Sequence, residues 1–159
     1  VDLVTLEEIR RLKYRYLRAV DTKDWDLLAD TFTPDGVADY GTPAMGKPLV
    51  LTGRDAIVAF MRDNLGPGMI TVHAAGQPEI DVDGDTATGI WSFQDTVIAV
   101  EHKVVIQGAA FYEDTYRRDG DGDGQWRISR TGYQRTYEAM FSLKDVPSFQ
   151  LTANRWATA

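Results

Sequence analysis

The chain has 159 residues, of which 43% are hydrophobic and 26% charged, a composition that supports one compact domain and excludes a disordered or fibrous chain. Lysine and arginine number 17 against 24 aspartates and glutamates, a formal charge of -7, so nucleic acid and membrane surfaces are poor partners and a small molecule is the expected one. No cysteine is present, which removes disulfides, thiolate metal sites and a cysteine nucleophile together.

Thr5-Leu6-Glu7-Glu8 has the pattern of a capping box, and Leu6, Ile9, Leu12, Tyr16, Leu17 and Val20 follow at helical spacing, predicting a helix over about 6–20. Asp24 can cap a second helix running to Phe32 and stopped by the turn Thr33-Pro34-Asp35-Gly36. Residues 37–40 read as a short strand. The stretch 41–53, rich in glycine and proline, reads as a loop, and 54–65 resumes helical spacing through Ile57, Phe60 and Met61 until Gly66-Pro67-Gly68 ends it. From Met69 onward the period is two, with strands predicted at 70–74, 79–82, 86–100, 104–118 and 125–138. Three of these are long and must twist and bend, or they would leave a flat exposed sheet. Helices first and strands afterwards give an α+β fold, a strongly curved and mainly antiparallel sheet wrapped on the N-terminal helices.

Residues 141–159 carry no pattern and are expected to pack on a partner subunit or close a pocket. No apolar run approaches the roughly 20 residues that span a bilayer, and the first turns are charged and amphipathic, unlike a signal peptide. A cytoplasmic enzyme is the expectation; a leader ahead of Val1 is left open.

His73 sits in a strand-like stretch among apolar neighbours, where an imidazole serves as a general base or as a hydrogen-bonded core group. His102, in Glu101-His102-Lys103, reads as part of a solvated turn. Asp21 lies four residues after Leu17 on one helical row, placed either to orient an imidazole or to cap the turn Thr22-Lys23-Asp24. Tyr16 presents a phenol inward, as an oxyanion donor or as core filling. Alternation puts Trp91, Phe93, Asp95 and Val97 on one face, so Asp95 is a carboxylate among bulky apolar groups and needs a partner. Arg135, on the last strand with Thr131, Tyr133 and Tyr137, is the candidate, although a bulge at Gly132 would swap faces. Such a pair is structural glue or an anchor for substrate and leaving group. Asp119-Gly120-Asp121-Gly122-Asp123-Gly124 matches half a calcium loop, but its twelfth position is Arg130 and its flanks are strands. It reads as a hairpin turn, and no metal site is predicted.

The run Ala19-Val20-Asp21-Thr22-Lys23-Asp24-Trp25-Asp26, the strand histidine His73 and the stretch Gly108-Ala109-Ala110-Phe111-Tyr112-Glu113-Asp114 resemble the SnoaL-like branch of the NTF2-like superfamily, over nearly the whole chain. Ala87-Thr88-Gly89-Ile90-Trp91, Phe111-Tyr112, Gly124-Gln125-Trp126 and Thr131-Gly132-Tyr133-Gln134-Arg135 are most similar to the bacterial bile-acid 7α-dehydratases within it. The first run also resembles scytalone dehydratase, and the Asp21 and His73 pair resembles the dyad of hexachlorocyclohexane dehydrochlorinase. The resemblance implies a cone-shaped, cystatin-like fold with an internal pocket, an elimination reaction without a cofactor, and a homodimer or homotrimer. Carried over by position, it implies catalytic roles for Tyr16, Asp21, His73, Asp95 and Arg135. Trp25, Tyr40, Trp91, Phe93, Tyr112 and Tyr133 are then the expected pocket aromatics. The loop 41–53 is longer and richer in proline than in those dehydratases, and the hairpin at Asp119 is extended, so substrate identity does not carry over.

The expected activity is dehydration of a carbonyl-activated, steroid-like or other polycyclic substrate. Three readings compete with it: an isomerase on the same cone, a non-catalytic module that holds a hydrophobic ligand, and the structural small subunit of a ring-hydroxylating oxygenase. Product mass separates the first, unchanged ligand affinity in a His73→Ala variant the second, and co-purification with an iron–sulfur large subunit the third.

Overall fold

The computed structural model describes residues 2–157, so Val1, Thr158 and Ala159, the ends of the expected domain and tail, lie outside the described residues. Helix α1 (Leu3–Thr22) starts earlier than the capping box predicts, because Asp2 is the N-cap and its side chain accepts a hydrogen bond from the Val4 N–H. The helix also runs on through Asp21. It closes only at Lys23, whose left-handed backbone (φ 56°) directs its N–H to the Ala19 and Val20 carbonyls. Ile9, Leu12, Tyr16 and Val20 form the buried stripe, each large apolar side chain contributing about 1.5–3 kcal/mol on burial.

Helix α2 (Trp25–Asp30) is capped by Asp24 as expected but ends before Phe32, which instead opens β1 (Phe32–Asp39). The turn predicted at Thr33-Pro34-Asp35-Gly36 is an irregularity inside that strand: Phe32 pairs with Ile128 and Val37 with Arg130, so residues 33–36 loop out opposite Ser129. Pro34 has no N–H to give the ladder, which makes this the place for the chain to leave it. The predicted loop over 41–53 contains two elements, a 3₁₀ turn at Pro43–Met45 and strand β2 (Val50–Thr52), which pairs antiparallel with Val37–Asp39. Helix α3 (Arg54–Asn64) follows.

Four long strands complete the fold: β3 (Met69–Asp83), β4 (Thr86–Ala99), β5 (Val104–Arg118) and β6 (Trp126–Ser142). β3 is one strand where two were predicted, since Gln77 (φ 51°) and a register shift between Gly76 and Glu79 bend it without breaking it. The sheet order is β2-β1-β6-β5-β4-β3, antiparallel throughout except between β1 and β6. Its inner face packs on the helices, giving the curved α+β cone. The turn between β5 and β6 is the hairpin expected at Asp119, whose carboxylate accepts from the Asp121 and Gly122 N–H groups. After β6 the chain makes one 3₁₀ turn, Leu143–Asp145, and continues without regular structure.

Two shifts of register in β6 decide where its side chains point. They fall beside Ser129 and Thr136, not at Gly132. Between them Thr131, Tyr133 and Arg135 face inward. Tyr137, expected on their face, lies past the second shift and is 50% exposed among Val72, Ala74 and Gln94 on the outer surface.

Candidate active site

The last turn of α1 carries Asp21 against the inward face of β3. Three donors hold it there: the Thr71 hydroxyl at 2.9 Å and His73 Nδ1 at 2.7 Å share Oδ1, and the His73 backbone N–H reaches Oδ2 at 2.8 Å. Two residues further, at the C-cap, Lys23 Nζ donates to the Met69 carbonyl at 2.7 Å. Met69, Thr71 and His73 alternate along β3, so the strand's period of two meets the helix terminus at three successive inward positions. With Nδ1 engaged by the carboxylate, Nε2 is the ring nitrogen left to act on a ligand.

His73 lines a cavity of about 340 Å³ whose wall is mostly apolar. Directly across the sheet, His73 is paired with Asp95. Asp95 is bonded in bidentate fashion to Arg135, with Oδ1 to Nη1 at 2.5 Å and Oδ2 to Nη2 at 2.9 Å. Glu138 adds a carboxylate 3.2 Å from Arg135 Nε, close enough for charge pairing although Nε lacks an aligned acceptor. Burial alone would lower the Arg135 pKa, but the bonds and charge of Asp95, with Tyr133 and Glu138 beside them, together outweigh it and raise the guanidinium above its ordinary value.

Phenols form another part of the wall. The Tyr16 and Tyr40 hydroxyls lie 2.7 Å apart, and the Tyr133 hydroxyl donates to the Tyr40 carbonyl at 3.2 Å. Burial pushes the Tyr16, Tyr40 and Tyr112 phenols well above their ordinary range and Tyr133 up to about 12. All four stay protonated near neutrality, with Tyr133 giving its proton to the Tyr40 carbonyl and one of the Tyr16 and Tyr40 hydroxyls donating to the other. Behind Tyr16 and Tyr112 lies a feature the sequence reading missed. Lys13 is fully buried, in ion contact with buried Asp114 at 2.8 Å, and its ammonium sits 3.4 Å from the Tyr112 ring centroid. Asp114 also accepts from the Tyr116 hydroxyl (2.8 Å) and the Thr131 hydroxyl (2.6 Å).

The structure brings Tyr16, Asp21, His73, Asp95 and Arg135 together at this cavity, with Asp21 reaching it through His73. Tyr40, Tyr112 and Tyr133 line it as expected. Trp25, Trp91 and Phe93 do not. Trp25 belongs to a separate surface hollow beside Lys23 and Arg155. Trp91 is buried away from the cavity, donating its indole N–H to the Tyr116 hydroxyl at 2.8 Å. Phe93 stacks behind Tyr112, with ring centroids 4.1 Å apart, as the second layer of the wall. Thr71 and, from α3, Phe60 and Met61 also line the cavity, a place the sequence reading did not give them. His102 is exposed in its turn. Among the described residues no three histidine, aspartate or glutamate side chains gather as a metal-binding group, and no helix is long and apolar enough to cross a membrane.

Comparison with known proteins places these observations in context. The family described as SnoaL-like domain matches residues 2–132. An uncharacterized protein of Mycobacterium tuberculosis is 32% identical over 135 residues, covering 84% of this chain and 86% of the relative. Among solved structures, a hexachlorocyclohexane dehydrochlorinase superposes with a TM-score of 0.74 at 22% identity, over 88% of this chain and 90% of that one. A putative scytalone dehydratase from Novosphingobium aromaticivorans also gives 0.74 at 22% identity, over 96% and 92%. At such identities the structural likeness speaks for the fold.

Proposed function

Because the chain belongs to the SnoaL-like domain family, we propose that it is a cofactor-independent dehydratase acting on a carbonyl-activated, steroid-like or other polycyclic substrate. The observation that carries this reading is the 2.7 Å contact between Asp21 and His73 at the wall of an apolar cavity that is also lined by protonated phenols. His73 Nε2 takes the acidic C–H proton beside the carbonyl, and Asp21 stabilises the imidazolium that forms. The electron pair moves onto the carbonyl oxygen, where the Tyr16 hydroxyl donates to the enolate. As the C–O bond breaks, the imidazolium returns the proton to the departing hydroxyl. Water leaves, the conjugated carbonyl compound remains, and the base is regenerated.

Asp95 is a poor source for that proton, because both its oxygens accept from Arg135. The pair instead places a guanidinium beside the leaving oxygen. Together a general base at about 10²–10⁴-fold and one oxyanion donor at about 10²–10³-fold are enough for a proton already acidified by a carbonyl. The test is a screen of β-hydroxy ketones and 3-oxo-4-ene steroids, free and as thioesters, with the wild type and His73→Ala. Loss of water from one compound, absent in the variant, is expected; no water loss from any of them would overturn the reading.

The saturation of Asp95 by Arg135 also favours a second reading. With a single proton carrier at the cavity, the imidazolium can return its proton to another carbon of the enolate, which is an isomerisation that conserves mass.

A further inference from the structure

We propose that Thr71 is a positioning residue that sets the tautomer of His73, an assignment that rests on the proton-transfer reading of the dyad. Asp21 lies in the final turn of α1, where the helix offers its carboxylate no N–H partner and the aligned peptide dipoles present their negative end. Its orientation is therefore settled by β3 alone. The carboxylate has two rotational handles, and they come from one strand: the His73 backbone N–H on Oδ2 at 2.8 Å and the Thr71 hydroxyl on Oδ1 at 2.9 Å.

The second handle matters because Oδ1 is the oxygen that meets His73 Nδ1. A hydroxyl has one proton to give and rotates to aim it. Thr71 is 5% exposed, so replacing its hydroxyl by a methyl removes the donor without opening the wall. Without that donor, one backbone N–H holds Oδ2, and the carboxylate is free to turn about that bond and carry Oδ1 out of line with the ring. The imidazole then loses its reason to keep its proton on Nδ1. Proton abstraction needs that proton there, since only the Nδ1–H form leaves the Nε2 lone pair bare toward the cavity. Thr71 therefore acts on the reacting proton through two intermediaries and touches none of the reacting atoms itself.

The test uses the whole protein without any substrate, labelled with ¹⁵N-histidine. Only two histidines are present, and exposed His102 is an internal reference far from the dyad in chain and environment. At a pH where the imidazoles are neutral, ¹⁵N shifts separate a ring protonated at Nδ1 from one protonated at Nε2. The wild type is expected to show His73 as the Nδ1–H form and His102 as the usual mixture. Thr71→Val, which keeps the shape and removes the hydroxyl, is expected to move His73 toward the Nε2–H form while His102 stays unchanged. Thr71→Ser is expected to restore the wild-type pattern. Once a substrate is in hand, Thr71→Val should lower kcat about tenfold, as the loss of one charge-bearing hydrogen bond implies, with KM within about twofold. A wild-type His73 carrying its proton on Nε2 overturns the proposal even if Thr71→Val fails to fold, and so does a Thr71→Val spectrum identical to the wild type. Failure of every compound in the dehydratase screen leaves these spectra readable, so the two failures are distinguishable.

Discussion

Asp21 occupies a position that a helix does not favour. Negative charge in a last turn costs about 0.3–1 kcal/mol against the macrodipole, and α1 has no basic residue there to offset it. A carboxylate kept at such a place is explained by what it holds, which is the His73 ring. Asp21→Asn preserves the shape but offers Nδ1 an amide in place of a carboxylate, and it is expected to lower kcat by about 10²–10⁴-fold with little change in KM. Tyr16→Phe removes a hydroxyl from the cavity wall and should cost about 10²–10³-fold in kcat, read by steady-state kinetics alongside unchanged circular dichroism. Retention of full activity by either variant would remove that residue from the mechanism. The candidate site was legible in the sequence because its polar members interrupt apolar patterns: Asp21 on a helical row after Leu17, Asp95 between Phe93 and Val97 in alternation. Trp25, Trp91 and Phe93 show where that legibility stops. Alternation says that Trp91 and Phe93 face inward, but not whether an inward ring touches the cavity or stands behind one that does, and that depth depends on how tightly the sheet bends.

Lys13 and Asp114 join α1 to β5 through a contact that neither element would tolerate alone. Both side chains are fully buried, and burial lowers the Lys13 pKa although Asp114 pulls it back up. Breaking such a pair leaves one buried charge without its partner, so Lys13→Met and Asp114→Asn are each expected to cost about 3–5 kcal/mol in urea unfolding. The double variant should cost less than the two together, and strict additivity would mean that the pair is not coupled. This pair was readable from pattern alone, since Lys13 stands between Ile9 and Leu17 on one helical row and Asp114 between Tyr112 and Tyr116 in alternation. A long aliphatic stem ending in a charge suggests solvent to any hydropathy reading, which hides it. The β5–β6 register was less legible, because the shifts beside Ser129 and Thr136 depend on pairing between distant segments. Gly108 marks how close that pairing is. A Cβ there would stand 2.6 Å from the Tyr137 carbonyl oxygen and 2.8 Å from Arg135 Nη1. Gly108→Ala is therefore expected to push β5 from β6, lower the melting temperature, and reduce kcat by disturbing the Asp95–Arg135 clamp. Unchanged melting and turnover would show that the two strands are not held this tightly.

At the scale of the molecule, five of the seven tyrosines lie in or against the core, and their protons link the cavity to global stability. Burial raises Tyr16, Tyr112 and Tyr116 well above the ordinary phenol value of 10, raises Tyr40 as well, and lifts Tyr133 to about 12. In the unfolded chain the same groups ionise near 10. Above that pH the unfolded state has shed protons that the folded state still holds, so ionisation draws the equilibrium toward unfolding. The stability these phenols contribute is complete below about pH 10 and is lost as pH rises from there through their folded values. Lys13 works with the opposite sign: its folded value is lowered below 10.5, so its contribution grows as pH climbs toward 10.5. Burial lowers the partly buried Lys23 as well, so two lysines stand against five phenols, and the phenols decide the outcome. The unfolding free energy from urea titration is expected to change little between about pH 7 and 9 and to fall steeply above 10, by about 1.4 kcal/mol for each phenol and each unit of pH while the linkage operates. Absorbance near 295 nm should show these five phenols ionising together with the loss of near-ultraviolet circular dichroism, not before it. Ionisation near pH 10 of more than the two half-exposed tyrosines, Tyr14 and Tyr137, with the tertiary signal intact would mean that water reaches the Tyr16 wall freely, and a cavity that wet could not hold the enolate that the proposed elimination requires.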